Sequence, residues 1–158
     1  MKSNTNFRSN DLCVLSHSIT SIQRWQSRWE TTTKGRWTFK LIPEIIAWIS
    51  RKHGECSYHT TQFLSGHGGY RKYLHRFGHD TSPLCPGCQG EEEDTEHAVF
   101  HCTRFQNGRG EYEEPRITME LMLQSEHHWQ EVESRIIAIQ QELRRSEKVR
   151  NNRTNLSI

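Results

Sequence analysis

The chain has 158 residues, of which 32% are apolar; its mean hydropathy is −0.89 and its net charge +2. This length suits one ordinary domain or two small ones, and the thin apolar supply points to small helical units rather than a large core. There is no run of eighteen apolar residues and no N-terminal apolar stretch of signal-peptide length, so neither a membrane span nor secretion is expected.

Residues 1–15 read as a disordered N-terminus and 16–83 as a basic helical region. Ile19, Ile22, Trp25 or Gln26, and Trp29 recur at helical spacing over 15–30, and the run Thr31-Thr-Thr-Lys-Gly35 stops that helix. Pro43 fits the first turn of a short helix through Trp48 and Ile49, closed by Gly54. Residues 57–65 form another helix, carrying Phe63 and Leu64. Tyr70, Tyr73, Leu74 and Phe77 make an apolar face at i, i+3, i+4, i+7, with Arg71, Lys72, His75 and Arg76 on the opposite face and Gly78 as the C-cap.

Residues 84–106 hold a knuckle, 107–116 a loop, 117–147 a helical segment and 148–158 a disordered tail. In the last helix Trp129, Val132, Ile136, Ile139 and Leu143 step by 3, 4, 3, 4, the seam of a helix that packs along another, with Ser125 as N-cap. About two heptads favour an intramolecular pair over a free-standing coiled coil. The fold class expected is mainly α: short helices around a small structural zinc knuckle, a longer C-terminal helix and disordered termini.

The knuckle is the most specific signal. Cys85 and Cys88 are separated by two residues, His97 follows after eight more, and Cys102 after another four. Three thiolates and an imidazole are ligands that zinc prefers, and four protein ligands leave no open position, so one structural Zn2+ is expected. A second set would use His101 in place of Cys102. The thiolate binds zinc more tightly than a second imidazole, which favours Cys85, Cys88, His97 and Cys102. In a reducing, intracellular compartment the remaining cysteines, Cys13 and Cys56, are bystander thiols.

The modest net charge conceals a segregation. Lys34 to His79 carries eight basic and two acidic residues; Asp80 to Phe100 carries six acidic residues and no Lys or Arg. A basic stretch beside a knuckle suggests a polyanion partner, contacted through Lys34, Arg36, Lys40, Arg51, Lys52, Arg71, Lys72 and Arg76. Glu91–Asp94 reads as a solvated loop tip that repels phosphate. Trp37 reads as buried against Trp25 or Trp29, and His67, between glycines, as a structural hydrogen-bonding group. His53, His59, His67, His75 and His79 follow no regular ligand pattern. The run Ser65-Gly-His-Gly-Gly69 lacks the G-x-S-x-G elbow that a hydrolase reading needs.

Several segments, taken in order, resemble one family. They are Thr33-Lys-Gly-Arg-Trp37, Leu41-Ile-Pro43, Arg51-Lys-His-Gly54, Gln62-Phe-Leu-Ser-Gly-His-Gly68, Tyr73-Leu-His-Arg-Phe-Gly78, Pro83-Leu-Cys-Pro-Gly-Cys88, Glu96-His-Ala-Val-Phe-His-Cys-Thr-Arg-Phe105 and Glu120-Leu-Met-Leu123. Together they resemble the C-terminal end of the reverse-transcriptase polyprotein of non-LTR retrotransposons, most nearly the insect elements that insert into ribosomal RNA genes. The resemblance implies a segment that grips template RNA or target DNA, and a nuclear location. The chain has no Tyr/Phe-x-Asp-Asp sequence and only three aspartates, Asp11, Asp80 and Asp94. Two-metal polymerase or nuclease chemistry needs clustered carboxylates, so no catalytic residues are expected. Two further readings remain: a protein-interaction module docking a helical partner through Trp129, Val132, Ile136, Ile139 and Leu143, and a metal-finger nuclease of the His-Asn-His type.

Overall fold

A computed structural model of the chain describes residues 9–107 and 110–155, with side chains from 19 to 152. The described residues are mainly helical, with no strand among them. In chain order they form α1 (Ser9–Thr31), α2 (Arg36–Leu41), α3 (Ile45–Ile49), α4 (Tyr58–Ser65), α5 (Arg71–Arg76), a π-helical turn (His97–His101), a 3-10 turn (Thr103–Phe105), α6 (Pro115–Gln124) and α7 (Glu126–Asn155). No helix of the described residues is long and apolar enough to cross a membrane.

α7 organises the core because its seam is continuous: Trp129, Val132, Ile136, Ile139 and Leu143 are all buried. α6 and α4 pack on that seam and α2 rests on α4 and α6, so Leu41, Phe63, Tyr70, Phe100, Met119 and Met122 join one cluster. The seam is thus filled by the chain itself. This corrects the reading in which these five residues dock a helical partner, since burying them once removes them from any second interface. Ser125 caps α7 as expected, its hydroxyl accepting from the His128 N–H and its carbonyl from the Trp129 N–H.

Element ends differ from the sequence reading. α1 begins at Ser9, inside the stretch read as disordered; Cys13 and Asp11 lie on it, their side chains outside the described residues. α7 continues to Asn155, past the expected end at 147, and Arg150 on it pairs with Asp80 at 2.9 Å. α3 starts at Ile45, after Pro43 and Glu44, and stops at Ile49. Gly54 serves a different purpose: it has φ 78, and a Cβ there would fall 2.3 Å from the Trp129 ring. The backbone can lie against that ring only as glycine.

On α1 the inward face is Ile22, Gln26 and Trp29, whereas Ile19 and Trp25 are exposed. The Gln26 side chain donates to the Pro43 carbonyl and accepts from the Ile45 N–H, and Trp29 Nε1 donates to the Ile42 carbonyl. Trp37 is half-buried as expected, but against Phe63 and Phe100 rather than Trp25 or Trp29, and its Nε1 donates to the Phe63 carbonyl.

Candidate metal centre and basic groove

Pro86 and Gly87 turn the chain between the first two cysteines. Gly87 leaves room for a close approach, since a Cβ there would sit 2.7 Å from Arg104 Cγ and displace that side chain. Behind the turn, a single antiparallel bridge joins Leu84 and Glu92, and the Cys85 N–H donates to the Glu91 carbonyl at 2.8 Å. The other two ligands come from the π-helical turn. Its closing bond, Cys102 N–H to the His97 carbonyl at 2.7 Å, spans five residues instead of four. The wider turn brings Cys102, five residues on, round beneath His97.

Cys85, Cys88, His97 and Cys102 each offer a ligand atom within 4.8 Å of the others. Cys102 Sγ lies 3.7 Å from Cys85 Sγ and 3.9 Å from Cys88 Sγ. These separations are far beyond a disulfide's and match the edge of a tetrahedron with metal–sulfur bonds of about 2.3 Å, roughly 3.8 Å. His97 is 8% exposed, and its Nε2 is buried with no hydrogen-bond partner. An orphaned buried imidazole nitrogen beside three thiols is what a ligand looks like without its metal, so the donor set fits a metal ion. His101 has half its side chain in solvent and faces Glu96 at 3.6 Å, so it stands outside the cluster.

The electrostatics differ among the four. Burial pushes the Cys102 thiol up to about 11 and holds His97 below its ordinary value. The Thr103 hydroxyl and backbone N–H, both at Cys88 Sγ, lower that thiol. Arg104 Nη2 donates to Cys85 Sγ at 3.5 Å and pairs with Glu93. Glu93 is 1% exposed, which corrects the reading of Glu91–Asp94 as a solvated tip: Glu91 and Glu92 face solvent, and Glu93 turns inward to hold Arg104. Neither Thr103 nor Arg104 was singled out in the sequence; their one signal was position, immediately after Cys102.

The eight cations read as a polyanion face do not form one surface. Arg71 is 8% exposed, its guanidinium bound to both oxygens of Asp80 and to the Leu84 carbonyl, so it staples the knuckle to α5 and is unavailable to a phosphate. Arg51 stacks on Trp48 at 3.7 Å and donates to the Trp48 and Gly54 carbonyls. Lys34 and Lys52 are exposed, with no ion pair among the described residues. The other four meet at a groove of about 580 Å³ between α2, the turn after α4, and α5: Arg36, Lys40, Lys72 and Arg76 line it. Arg36 there donates to the carbonyls of Trp29, Glu30 and Thr32 at the end of α1. Lys40 pairs with Glu96, and Lys72 with Glu92 and Asp94, so the groove's far wall is the acidic edge of the knuckle. His67 makes a ring contact with Tyr73, centroids 4.8 Å apart, and its backbone N–H donates to the Gln62 carbonyl at 3.1 Å.

Against this geometry, sequence comparison is informative. Over 90 residues, 56% of this chain, it is 31% identical to the retrovirus-related Pol polyprotein from type-1 retrotransposable element R1 4 of Nasonia vitripennis, covering 23% of that protein. A Bradysia coprophila R1 Pol polyprotein is also 31% identical over 90 residues, and a putative 115 kDa protein of the Drosophila melanogaster element R1DM is 31% identical over 86. The chain is similar to insect R1 retrotransposon Pol polyproteins. It spans less than a quarter of the length of these curated relatives. No family model and no solved structure matches it.

Proposed function

We propose that this chain is a non-catalytic, zinc-stapled nucleic-acid-binding segment derived from an R1-type Pol polyprotein. Zinc is held by Cys85, Cys88, His97 and Cys102 and supplies folding energy rather than a reactive position. RNA or DNA lies along the rim formed by Arg36, Lys40, Lys72 and Arg76, with Lys34 beside it, and the protein acts in the nucleus, a reading that the similarity to R1 Pol polyproteins supports. The observation that carries the reading is the groove: it collects four cations from two helices beside the metal cluster, in a chain similar to R1 Pol.

Two of the four cations already hold carboxylates, so phosphate must compete for Lys40 and Lys72, and the salt response is accordingly moderate. With about three phosphates neutralised, the log–log salt slope is expected near −2 on single strands and near −3 on duplex. Lys72→Gln with Arg76→Gln should flatten the single-strand slope by roughly one unit or a little more while zinc stays bound. Absence of salt-dependent binding to either form, with zinc present, would overturn the reading. Magnesium-dependent nicking of a plasmid would also overturn its non-catalytic part.

A further inference from the structure

Sequence periodicity placed Tyr73 and Phe77 on the apolar face of α5, directed to the core. In the structure Phe77 is 55% exposed and Tyr73 only half-buried. Both belong to a run of three rings: His67 and Tyr73 with centroids 4.8 Å apart, then Tyr73 and Phe77 at 5.0 Å. His67 and Tyr73 line the groove, and Phe77 extends the run past its end, with the Arg76 guanidinium 5.8 Å from its centroid. Tyr73 also rests on the core, but His67 and Phe77 on either side of it are exposed, and an aromatic strip bordered by cations with its two ends in solvent calls for a ligand with π-faces.

The opposite wall says how that ligand lies. Asp94 and Glu96 line it, each already held by a lysine. Carboxylates repel a phosphate backbone but accept hydrogen bonds from exocyclic amines of bases. We infer that the groove takes single-stranded nucleic acid with its bases turned inward onto His67, Tyr73 and Phe77 and its phosphates outward on Arg36 and Arg76. A duplex can meet only the cationic rim of this surface and not its rings. Its bases are stacked on one another and offer no ring faces, and its outer surface is phosphate, which the acidic wall repels. Stacking on aromatic side chains tolerates any sequence because every base has a π-face. The inference rests on the nucleic-acid reading above and deepens it by naming the strand form.

The test is fluorescence anisotropy with the full zinc-loaded chain, using a labelled mixed-sequence oligonucleotide and its blunt duplex at matched salt. The single strand should bind at least about tenfold more tightly. Phe77→Ala should weaken single-strand binding roughly tenfold with the salt slope unchanged, because it removes stacking and no charge. Phe77→Trp should retain the affinity, and neither variant should alter duplex binding. Equal affinity for the two forms, or a Phe77→Ala variant that binds the single strand like the parent, overturns the strand-form inference and leaves nucleic-acid binding standing. If the parent chain binds neither form, nucleic-acid binding itself fails and this inference with it.

Discussion

The knuckle and the α6–α7 pair are held together by opposite means. Around α7, Trp129, Val132, Ile136, Ile139 and Leu143 remove apolar surface from water, each fully buried side chain contributing about 1.5–3 kcal/mol. The knuckle has no comparable apolar interior of its own. Its residues are organised around four side chains placed to hold a metal ion and by charged staples, Arg104 on Glu93 and Arg71 on Asp80. Val99 and Phe100 are the exception: they leave the knuckle to enter the helical core, and Arg135 of α7 donates to the Val99 carbonyl. The difference teaches that the two regions should fail under different insults, although the π-helical turn joins them.

The largest effect expected is metal loss. A structural zinc site of this kind supplies apparent folding free energy on the order of 10 kcal/mol. Cys88→Ser should therefore lose zinc and unfold residues 84–105, read as lost amide-exchange protection there, while α6 and α7 keep theirs. His101→Ala should retain one zinc per chain by metal analysis. If His101→Ala loses zinc and Cys102→Ser keeps it, the ligand assignment is wrong.

Trp129→Ala inverts the experiment. Removing the largest fully buried side chain should cost about 3–5 kcal/mol in denaturant unfolding, with zinc content unchanged in the folded fraction. Parallel loss of zinc at the same denaturant concentration would merge the two regions into one cooperative unit and break the comparison.

The smallest effect concerns the ionic staple. Burial alone would raise the Asp80 carboxyl, but the Arg71 hydrogen bonds, the Ser82 N–H and the Arg150 charge outweigh it and hold it below the usual carboxylate range. A carboxyl depressed in the fold contributes stability above its unfolded value, and that stability is lost as pH falls through the folded one. Asp80→Asn should accordingly cost about 1.5–3 kcal/mol at neutral pH. The variant and the parent should converge in stability in acid, below the depressed Asp80 value. A difference between them that does not shrink with acid would mean the carboxylate charge is not what staples α5 to the end of α7.

The particular residues show which features were legible. The α7 seam and the Ser125 cap could be read directly, because helical periodicity and capping are local properties of a few residues. The set of four could be read from spacing, although the choice between Cys102 and His101 is settled in space only by the fold: the π-helical turn brings Cys102, five residues on, round to His97, while the His101 side chain lies in solvent beside Glu96. Charge was legible only as a sum. That Lys34–His79 is basic was visible, but not that Arg71 and Arg51 are consumed internally, that Arg36 holds the end of α1 with part of its guanidinium, or that Arg36, Lys40, Lys72 and Arg76 share a groove. Glu93 and Arg104 escaped notice for the same reason, since a buried ion pair is defined by its partner.

The sequence by itself thus determined a mainly helical chain, its central seam and the Cys/His set that could hold a metal ion, because each depends on residues close together in the chain. Only the tertiary structure decided which cations face solvent, which aromatic rings line the groove, and that the seam is already occupied. Those are questions of which distant residue arrives beside which: a cation is a staple or a phosphate contact according to the carboxylate that packs against it, and a ring is core or platform according to what covers it.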